Sequence, residues 1–163
     1  MIRELTSEDV VDISLFIRDN SIKENPAFFL SCFNSANEFI LRNLRNAFFG
    51  YRIQAFGTIY GSEINDIVIF QRPERKQCSF ITLVVCRIMG GELLAQTITS
   101  VFLLNKEICK IKAIVSSSQL EAGFRKTLTE IGFVEELLLR SFPESSNNIY
   151  SYAIFRNEEV QYE

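Results

Sequence analysis

One segment of the sequence joins an apolar, β-branched run to two glycines and then to an apolar-periodic stretch. It reads VVCRIMGGELLAQTITSVF, Val84 to Phe102, and Arg87 is its only charged residue before the glycines. Gly90 and Gly91 at a helix start would let backbone N–H groups approach phosphate, and Arg87 would add a charged fork. The same residues also suit a helix start packed closely on its strand, with Arg87 bonded to loop carbonyls. The segment therefore predicts either a phosphate-holding loop or a tight structural junction.

The Cys86 thiol is the candidate nucleophile of this segment. A thiol that faces an acyl cleft can accept an acyl group, but the chain has no histidine to activate it. The lack of histidine also excludes Ser-His-Asp and Cys-His catalysis and histidine-ligated metal sites. No two cysteines form a CxxC pair, so we expect no metal site. We expect buried free thiols in a reducing compartment at all four positions, Cys32, Cys78, Cys86 and Cys109.

Length and charge limit the class of protein. The 163 residues, 47% of them hydrophobic, predict one domain that spans 1–163 and buries a sizeable core. Basic residues are scattered and the net charge is −3, so no nucleic-acid partner is expected. The charged N-terminus is unlike a signal peptide, and no apolar run has the length of a membrane span. We predict a cytoplasmic protein without membrane contact; the oligomeric state, a homodimer included, stays open.

The first fifty residues predict a strand and two helices. Ile2–Leu5 forms the strand, and Thr6-x-x-Asp9 is the pattern of a capping box. Val10 begins the apolar face of the first helix. Pro26 suits the start of the second helix, whose apolar stripe runs to about Phe49.

From Tyr51 onward the pattern alternates between strands and helices. YRIQAFGTIY, DIVIF and CSFITLVVC predict three strands, with a turn over 61–65 between the first two. A helix from Gly91, a strand CKIKAIV, a helix over 117–131 and two final strands follow. The β-α-β unit from Phe80 to Val115 requires a right-handed crossover and hence a parallel pair. The predicted fold class is α/β, with one mixed, mostly antiparallel sheet and helices on both faces.

This element order resembles the GNAT superfamily, the Gcn5-related N-acetyltransferases. IRELTSEDV is similar to its opening strand and capped helix, and FRKTLTEIGFVEELLLRSF to its closing helix, Gly-Phe cap and strand. The resemblance implies that a loop after the fourth strand holds the pyrophosphate of acetyl-CoA, or of another acyl-CoA or phosphopantetheine thioester. Arg87-Ile-Met-Gly90-Gly91-Glu92 matches that loop, but Glu92 stands where the family pattern has Gly or Ala. A carboxylate there would compete with phosphate for the same N–H groups.

FGTIYGSEINDIVIF followed by VCRIMGGELL also resembles the C-terminal GNAT-like domain of FkbH-type proteins. Phe56, Gly57, Cys86, Arg87 and Gly90 carry this match, with Gly61 as a further candidate, while Val85 replaces the family's serine and Gly91 its second arginine. Those proteins use a HAD-type phosphatase domain to load a glyceryl unit onto an acyl carrier protein. The chain lacks that domain, so we do not expect it to load glycerate alone.

The resemblance implies roles for individual residues. The thioester would be held by Val85, Cys86, Arg87, Gly90, Gly91 and Ser117. Glu63 and Asp66 are candidate bases, with solvated turn carboxylates as their alternative, and Tyr60 is a candidate substitute proton donor. Ser117 would bond the pantetheine arm or cap its helix. The family's proton-donating tyrosine falls at Leu128, which cannot donate a proton.

Three functions remain open from the sequence. The first is acyl transfer from a CoA thioester to a small amine or a carrier-tethered substrate. The second is a non-catalytic module that binds a CoA or acyl-carrier-protein thioester. The third is an interaction domain whose Phe-rich segment 26–49 docks a partner.

Overall fold

A seven-stranded mixed sheet lies at the centre of the molecule. The computed structural model describes residues 2–19, 53–72, 79–87, 91–117, 123–139 and 148–157. In chain order the strands are β1 (Ile2–Leu5), β2 (Ile53–Tyr60), β3 (Glu63–Gln71), β4 (Phe80–Arg87), β5 (Lys110–Ser116), β6 (Val134–Leu139) and β7 (Ile149–Phe155). They lie in the order β1-β2-β3-β4-β5-β7-β6, and only β4 and β5 are parallel. The mostly antiparallel sheet and its single parallel pair confirm the predicted fold class.

Helices cover both faces of this sheet. Within the described residues they are α1 (Val10–Asp19), α2 (Gly91–Leu104) and α3 (Arg125–Ile131). Leu94 of α2 and Leu128 of α3 share a buried cluster with Val68 of β3. Ile67 and Ile69 are also buried but lie outside that cluster, and α1 contacts β3. Because successive strand residues point to opposite faces, α1 lies on the other side. The predicted helix over 26–49 falls outside the described residues.

The first helix begins with the predicted capping box. The Thr6 backbone N–H donates to Oδ2 of Asp9 at 2.8 Å, and the Thr6 hydroxyl accepts from the Glu8 N–H at 3.3 Å. The Arg3 guanidinium binds both carboxylate oxygens of Asp9. Asp9 therefore fixes β1 to the start of the helix, and a 3-10 turn, Ser7–Asp9, leads into α1.

The β2–β3 hairpin is tighter than the sequence predicts. Its loop contains only Gly61 and Ser62, and β3 begins at Glu63, so the turn predicted over 61–65 is present but three residues shorter than predicted. Gly61 has φ 65°, as two-residue hairpin loops require. Asn65 is an extra residue in the register, and this bulge lets the pairing continue to the tip. Glu63, Ile64 and Asn65, which were expected in the turn, are therefore strand residues.

The predicted helix over 117–131 ends where expected. Ser117 is helical, residues 118–122 lie outside the described chain, and α3 ends at a left-handed Gly132 with φ 107°. The Gly132 N–H donates to the Leu128 carbonyl at 3.2 Å. Leu128 is fully buried and Ile131 packs against the same core, as its periodicity predicts.

One cysteine departs from the prediction. Cys109 is exposed, and its thiol donates to the Ser79 carbonyl at 3.3 Å. It lies in the irregular segment directly before β5 rather than in the buried strand that was predicted to include it. Cys32, Cys78 and the side chain of Cys86 lie outside the described part of the chain.

The described residues include no helix that is both long and apolar enough to cross a membrane. They also contain no group of three or more cysteine or acidic side chains placed to hold a metal ion.

Candidate functional site

The parallel strands β4 and β5 run side by side over four positions and then separate. Their register pairs Phe80–Leu83 with Lys110–Ala113, and the last pair is Leu83 with Ala113. Beyond it, β4 stays paired with β3 as far as Arg87, and β5 stays paired with β7 as far as Ser116. Val84–Arg87 and Ile114–Ser116 therefore border a cleft in which these two described strands are not paired with each other.

A β-bulge lies where this cleft begins. On β3, Ile69 pairs with Val85 and Phe70 pairs with Leu83, so Val84 is an extra residue on β4. A bulge bends its strand and increases the local twist. The bulge at Val84 thus provides a local cause for the separation of β4 from β5.

The residues predicted to hold a thioester, as far as the structure describes them, lie at one end of the sheet. Val85, Cys86 and Arg87 form the last part of β4, paired with β3, and Ser117 follows the end of β5. Gly91 begins α2 four residues after Arg87. Only the backbone is described for Val85, Cys86 and Arg87, and Gly90 lies outside the described residues. The Ser117 N–H donates to the Asn148 carbonyl at 2.9 Å, which ties the end of β5 to the start of β7.

Gly91 has a packing reason to be glycine. A Cβ at this position would lie 3.3 Å from Cγ2 of Thr127 and 3.9 Å from Cδ1 of Ile131, both on α3. The close approach of two helices is therefore one cause of this glycine. This is a contact between two helices. The sequence instead indicates close packing of the helix start on its strand as the alternative to a phosphate loop.

Glu92 is exposed in the first turn of α2. Its Oε1 accepts a hydrogen bond from Nε2 of Gln96 at 3.0 Å, one turn further along the helix. The carboxylate is thus engaged along its own helix.

Asp66 is the best positioned of the three candidate acid–base residues. Its Oδ2 accepts a 2.8 Å hydrogen bond from the Thr58 hydroxyl across the β2–β3 pair, and it is half-buried. It directly precedes Ile67, which pairs with Arg87 at the end of β4. Asp66 therefore lies on the strand beside the cleft strand, at the end where the cleft opens.

Tyr60 and Glu63 lie further out, at the tip of the same hairpin. They form the last pair of β2 and β3, and Tyr60 is 81% exposed. Glu63 is exposed as well. Their exposure is that expected of solvated residues in a turn, whereas Asp66 is half-buried.

Sequence reasoning missed a cluster of two tyrosines beside the core. Leu128, the position of the family's tyrosine, is fully buried, but Tyr150 and Tyr152 on β7 pair with Val115 and Ala113 of β5. The Tyr152 hydroxyl donates to Oε2 of Glu135 at 2.8 Å. Burial, and then this hydrogen bond, raise the pKa of Tyr152 to about 12. The signal was the spacing in IYSYAIF, which places both rings on one face of the strand.

The guanidinium of Arg125 on α3 completes this cluster. It lies 5.9 Å from the centre of the Tyr150 ring and 3.5 Å from Oε2 of Glu135. The Tyr150 ring therefore faces a positive charge, and its backbone pairs with Val115 near the end of β5.

Several solved structures with a similar architecture carry the names of acetyltransferases. A GNAT-family acetyltransferase from Streptococcus pneumoniae superposes with a TM-score of 0.72 at 16% identity, covering 96% of this chain and 99% of that one. Spermidine N-acetyltransferase from Vibrio cholerae, solved with CoA and spermine, gives 0.68 at 17% identity, covering 95% and 94%. The ribosomal-protein-S5-alanine acetyltransferase from Vibrio fischeri gives 0.69 at 16% identity, covering 96% and 93%.

The chain has the GNAT fold. At these identities the likeness concerns the fold, and it confirms the GNAT-type architecture that the element order predicts. No family model and no curated protein matches the chain. The finer resemblance to FkbH-type domains stays a prediction.

Proposed function

We propose that the protein is an acyl-CoA-dependent N-acyltransferase that acts on a small amine. The observation that carries the proposal is the separation of β4 from β5 after Leu83 and Ala113, at the Val84 bulge. Strands that part leave backbone N–H and C=O groups that need partners. The amide groups of a pantetheine arm are suitable partners for such strand edges.

The reaction follows from this placement. The thioester carbonyl would accept hydrogen bonds from backbone N–H groups of β4 beyond the bulge. Such donors stabilise the developing oxyanion by about 3 kcal/mol each in acyl transfer. The amine nitrogen attacks the carbonyl carbon, a C–N bond forms, and the C–S bond breaks as the oxyanion collapses. The amine proton goes to a base, and the CoA thiolate leaves and takes up a proton from water.

We assign the base to Asp66 and the phosphate contacts to Arg87, Gly90 and Gly91. Asp66 is half-buried and already held by Thr58, beside the strand that lines the cleft. In this proposal Val85 and Cys86 supply backbone groups around the pantetheine arm, and Ser117 supplies its hydroxyl. Glu63 and Tyr60 remain secondary candidates, because they lie at the exposed hairpin tip.

The test is turnover of acetyl-CoA against a panel of primary amines that includes spermidine and an N-terminal alanine peptide. Free thiol release, followed with mass detection of the acylated amine, should give product with at least one of them. Calorimetric titration of CoA, without an amine, measures binding separately. Neither binding nor turnover with any acyl-CoA would contradict the proposal.

A second candidate function is thioester binding without catalysis. Leu128 favours it, since the position of the family's proton donor holds a fully buried aliphatic side chain. An acyl carrier protein would be the natural source of such a thioester if the FkbH-type resemblance extends to function. CoA or phosphopantetheine binding without any amine acylation would support this candidate over the first.

A further inference from the structure

The two edges of the described sheet differ in how they are protected. At one edge, β1 is four residues long and has the charged side chains of Arg3 and Glu4 exposed. At the other edge, β6 pairs only with β7 among the described strands, and its Val134, Leu137 and Leu138 are 59%, 61% and 49% exposed. Short, charged edges resist pairing with another strand, whereas apolar edges favour it. Of the two edges, β6 is therefore the one suited to accept a further strand.

The exposed leucines of β6 lie on both faces of the sheet. Leu137 pairs with Ser151 of β7 and Leu138 pairs with Tyr150, and successive residues of a strand point to opposite faces. A helix or a small ligand on one face would cover only one of these two leucines. A strand added at the edge would flank both, and it would also bond to the outward-facing backbone groups of β6. The surface therefore fits a strand better than it fits a helix or a ligand.

The two carboxylates of β6 are held within the chain. Glu135 accepts a hydrogen bond from the Tyr152 hydroxyl at 2.8 Å and lies 3.5 Å from the Arg125 guanidinium. Glu136 forms an ion pair with Lys110 of β5. Because each negative charge of the strand has a positive partner in its own chain, repulsion between two such edges is reduced.

The order of charges along β6 suits antiparallel pairing with a second copy. When two copies of VEELLL run antiparallel about the strand centre, Glu135 lies opposite Leu138 of the second copy, and Glu136 lies opposite its Leu137. The bulge at Glu136 puts Glu135 and Leu138 on the same face, as such a pair requires, because their partners on β7 are two residues apart. Parallel pairing in register would instead place each carboxylate opposite its own copy, which is unfavourable.

We propose that β6 pairs antiparallel with β6 of a second copy, so that the two sheets continue as one across a two-fold dimer. Such an interface is isologous, since the same strand contributes both sides. It lies on the far side of β7 from the cleft between β4 and β5. The dimer therefore does not depend on the proposed acyl transfer, and either proposal can fail without the other.

Light scattering over a wide range of protein concentrations gives the first test. The parent chain should show a monomer–dimer equilibrium. Leu137→Glu places a carboxylate opposite Glu136 of the second copy and should shift the chain to a monomer. Leu137→Lys places a positive charge opposite that carboxylate and should weaken the dimer about tenfold less than Leu137→Glu. A dimer that both variants weaken equally would overturn the proposal.

Leu103→Glu is the matched control, because Leu103 is 72% exposed and lies on α2 rather than on the edge strand. It should leave the dimer unchanged. The circular dichroism spectrum and the urea midpoint of monomeric Leu137→Glu should remain those of a folded chain, since Leu137 is largely exposed in the monomer.

Hydrogen exchange at the backbone amides of β6 gives an independent readout. Exchange across 134–139 should slow as the protein concentration rises in the parent chain, but not in Leu137→Glu. Three results would overturn the proposal: a monomer at every concentration, a dimer that Leu137→Glu leaves intact, or β6 amides that are equally protected at all concentrations. The last result would show that another segment of the same chain covers the edge.

Discussion

The Thr58 hydroxyl donates a 2.8 Å hydrogen bond to Oδ2 of Asp66 from one strand of the central hairpin to the other. This contact holds a half-buried carboxylate next to Ile67, the partner of Arg87 at the end of β4. Because the cleft between β4 and β5 opens at that end, Asp66 is the carboxylate with both burial and proximity in its favour. Its neighbours at the hairpin tip have neither.

This relationship predicts a ranking among the candidate acid–base residues. Asp66→Asn should lower kcat for amine acylation by about a hundredfold, the usual contribution of a positioned base. Glu63→Gln and Tyr60→Phe, at the exposed tip, should change kcat less than about threefold. Steady-state kinetics of the three variants give the ranking. A larger loss for Glu63→Gln than for Asp66→Asn would assign the base to the tip.

Gly91 is predicted to be constrained by Thr127. Gly91→Ala places a methyl group 3.3 Å from Cγ2 of Thr127, and Thr127→Ser removes that atom. The effect of Gly91→Ala on the free energy of unfolding should therefore be more favourable in the Thr127→Ser background, by about 0.5–1 kcal/mol. Urea unfolding of both singles and the double variant measures this coupling. Identical effects in the two backgrounds would remove the packing explanation.

The same variants separate packing from ligand binding at Gly91. CoA affinity of the Gly91→Ala, Thr127→Ser double variant should fall if the glycine backbone approaches phosphate, because a side chain then blocks that approach. Affinity equal to that of the parent chain would leave Gly91 with a packing role alone.

Asp9 predicts a loss of stability in acid. The hydrogen bond from Arg3 is the largest effect and lowers the pKa of Asp9 below its usual 3.8. Burial opposes this shift, and the hydrogen bond from the Thr6 N–H adds to it. A lowered folded-state pKa gives stability that is present above pH 3.8 and is lost as the pH falls through the folded value. Asp9→Asn should thus cost about 1–2 kcal/mol near neutral pH and much less in strong acid.

Urea unfolding of the parent chain and Asp9→Asn, near neutral pH and below about pH 3, tests this dependence. Asp12→Asn is the matched control, since it removes another carboxylate from the first turn of the same helix. It should cost less than Asp9→Asn near neutral pH. A difference between parent and Asp9→Asn that does not narrow in acid would contradict the assignment.

Tyr152 predicts a loss of folding stability in alkali. Its pKa of about 12 lies above its usual 10.0, because of burial first and the Glu135 carboxylate second. A raised folded-state pKa gives stability that is present below pH 10 and is lost as the pH rises towards 12. Glu135→Gln should move the ionisation of Tyr152 back towards 10, as followed by phenolate absorbance with Tyr152→Phe as the blank. An unchanged titration would show that burial alone sets the pKa.

Local sequence patterns predicted most helices and strands, whereas contacts between distant residues could not be predicted from them. The capping box at Thr6 and the cap at Gly132 follow from signals within a few residues. The parallel pair of β4 and β5 follows from the right-handed crossover of β-α-β units. The two-residue hairpin loop was missed because the Asn65 bulge extends the pairing beyond what strand periodicity shows.

The candidate site was likewise predictable from the sequence only in part. The sequence placed Arg87 at the end of its strand and Gly91 and Ser117 shortly after theirs, because each lies close to the end of an apolar run. It did not show that Gly91 meets Thr127, since those residues are adjacent only once α2 and α3 pack together. A groove between α2 and α3 was missed for the same reason, since its lining comes from these two helices and the last strand.

Arg87 carries the most direct prediction for CoA binding. Its backbone pairs with Ile67 at the last position of β4, where the strand leads towards the start of α2. In open α/β sheets, ligands gather beyond the carboxyl ends of strands, near helix N-termini. A guanidinium there can form paired hydrogen bonds to phosphate, and a lysine keeps the charge without the fork. Arg87→Ala should therefore weaken CoA binding by about 2 kcal/mol, and Arg87→Lys by less.

Calorimetric titrations of CoA and of pantetheine lacking phosphate into the parent chain, Arg87→Ala and Arg87→Lys provide the measurement. Arg72→Ala is the matched control, because Arg72 follows β3 and binds Glu107 near the other end of β4, away from the cleft. It should leave both affinities unchanged. If pantetheine loses as much affinity as CoA on Arg87→Ala, the arginine supports the loop rather than binding phosphate. The phosphate contact would then have to come from the backbone around Gly90 and Gly91 alone.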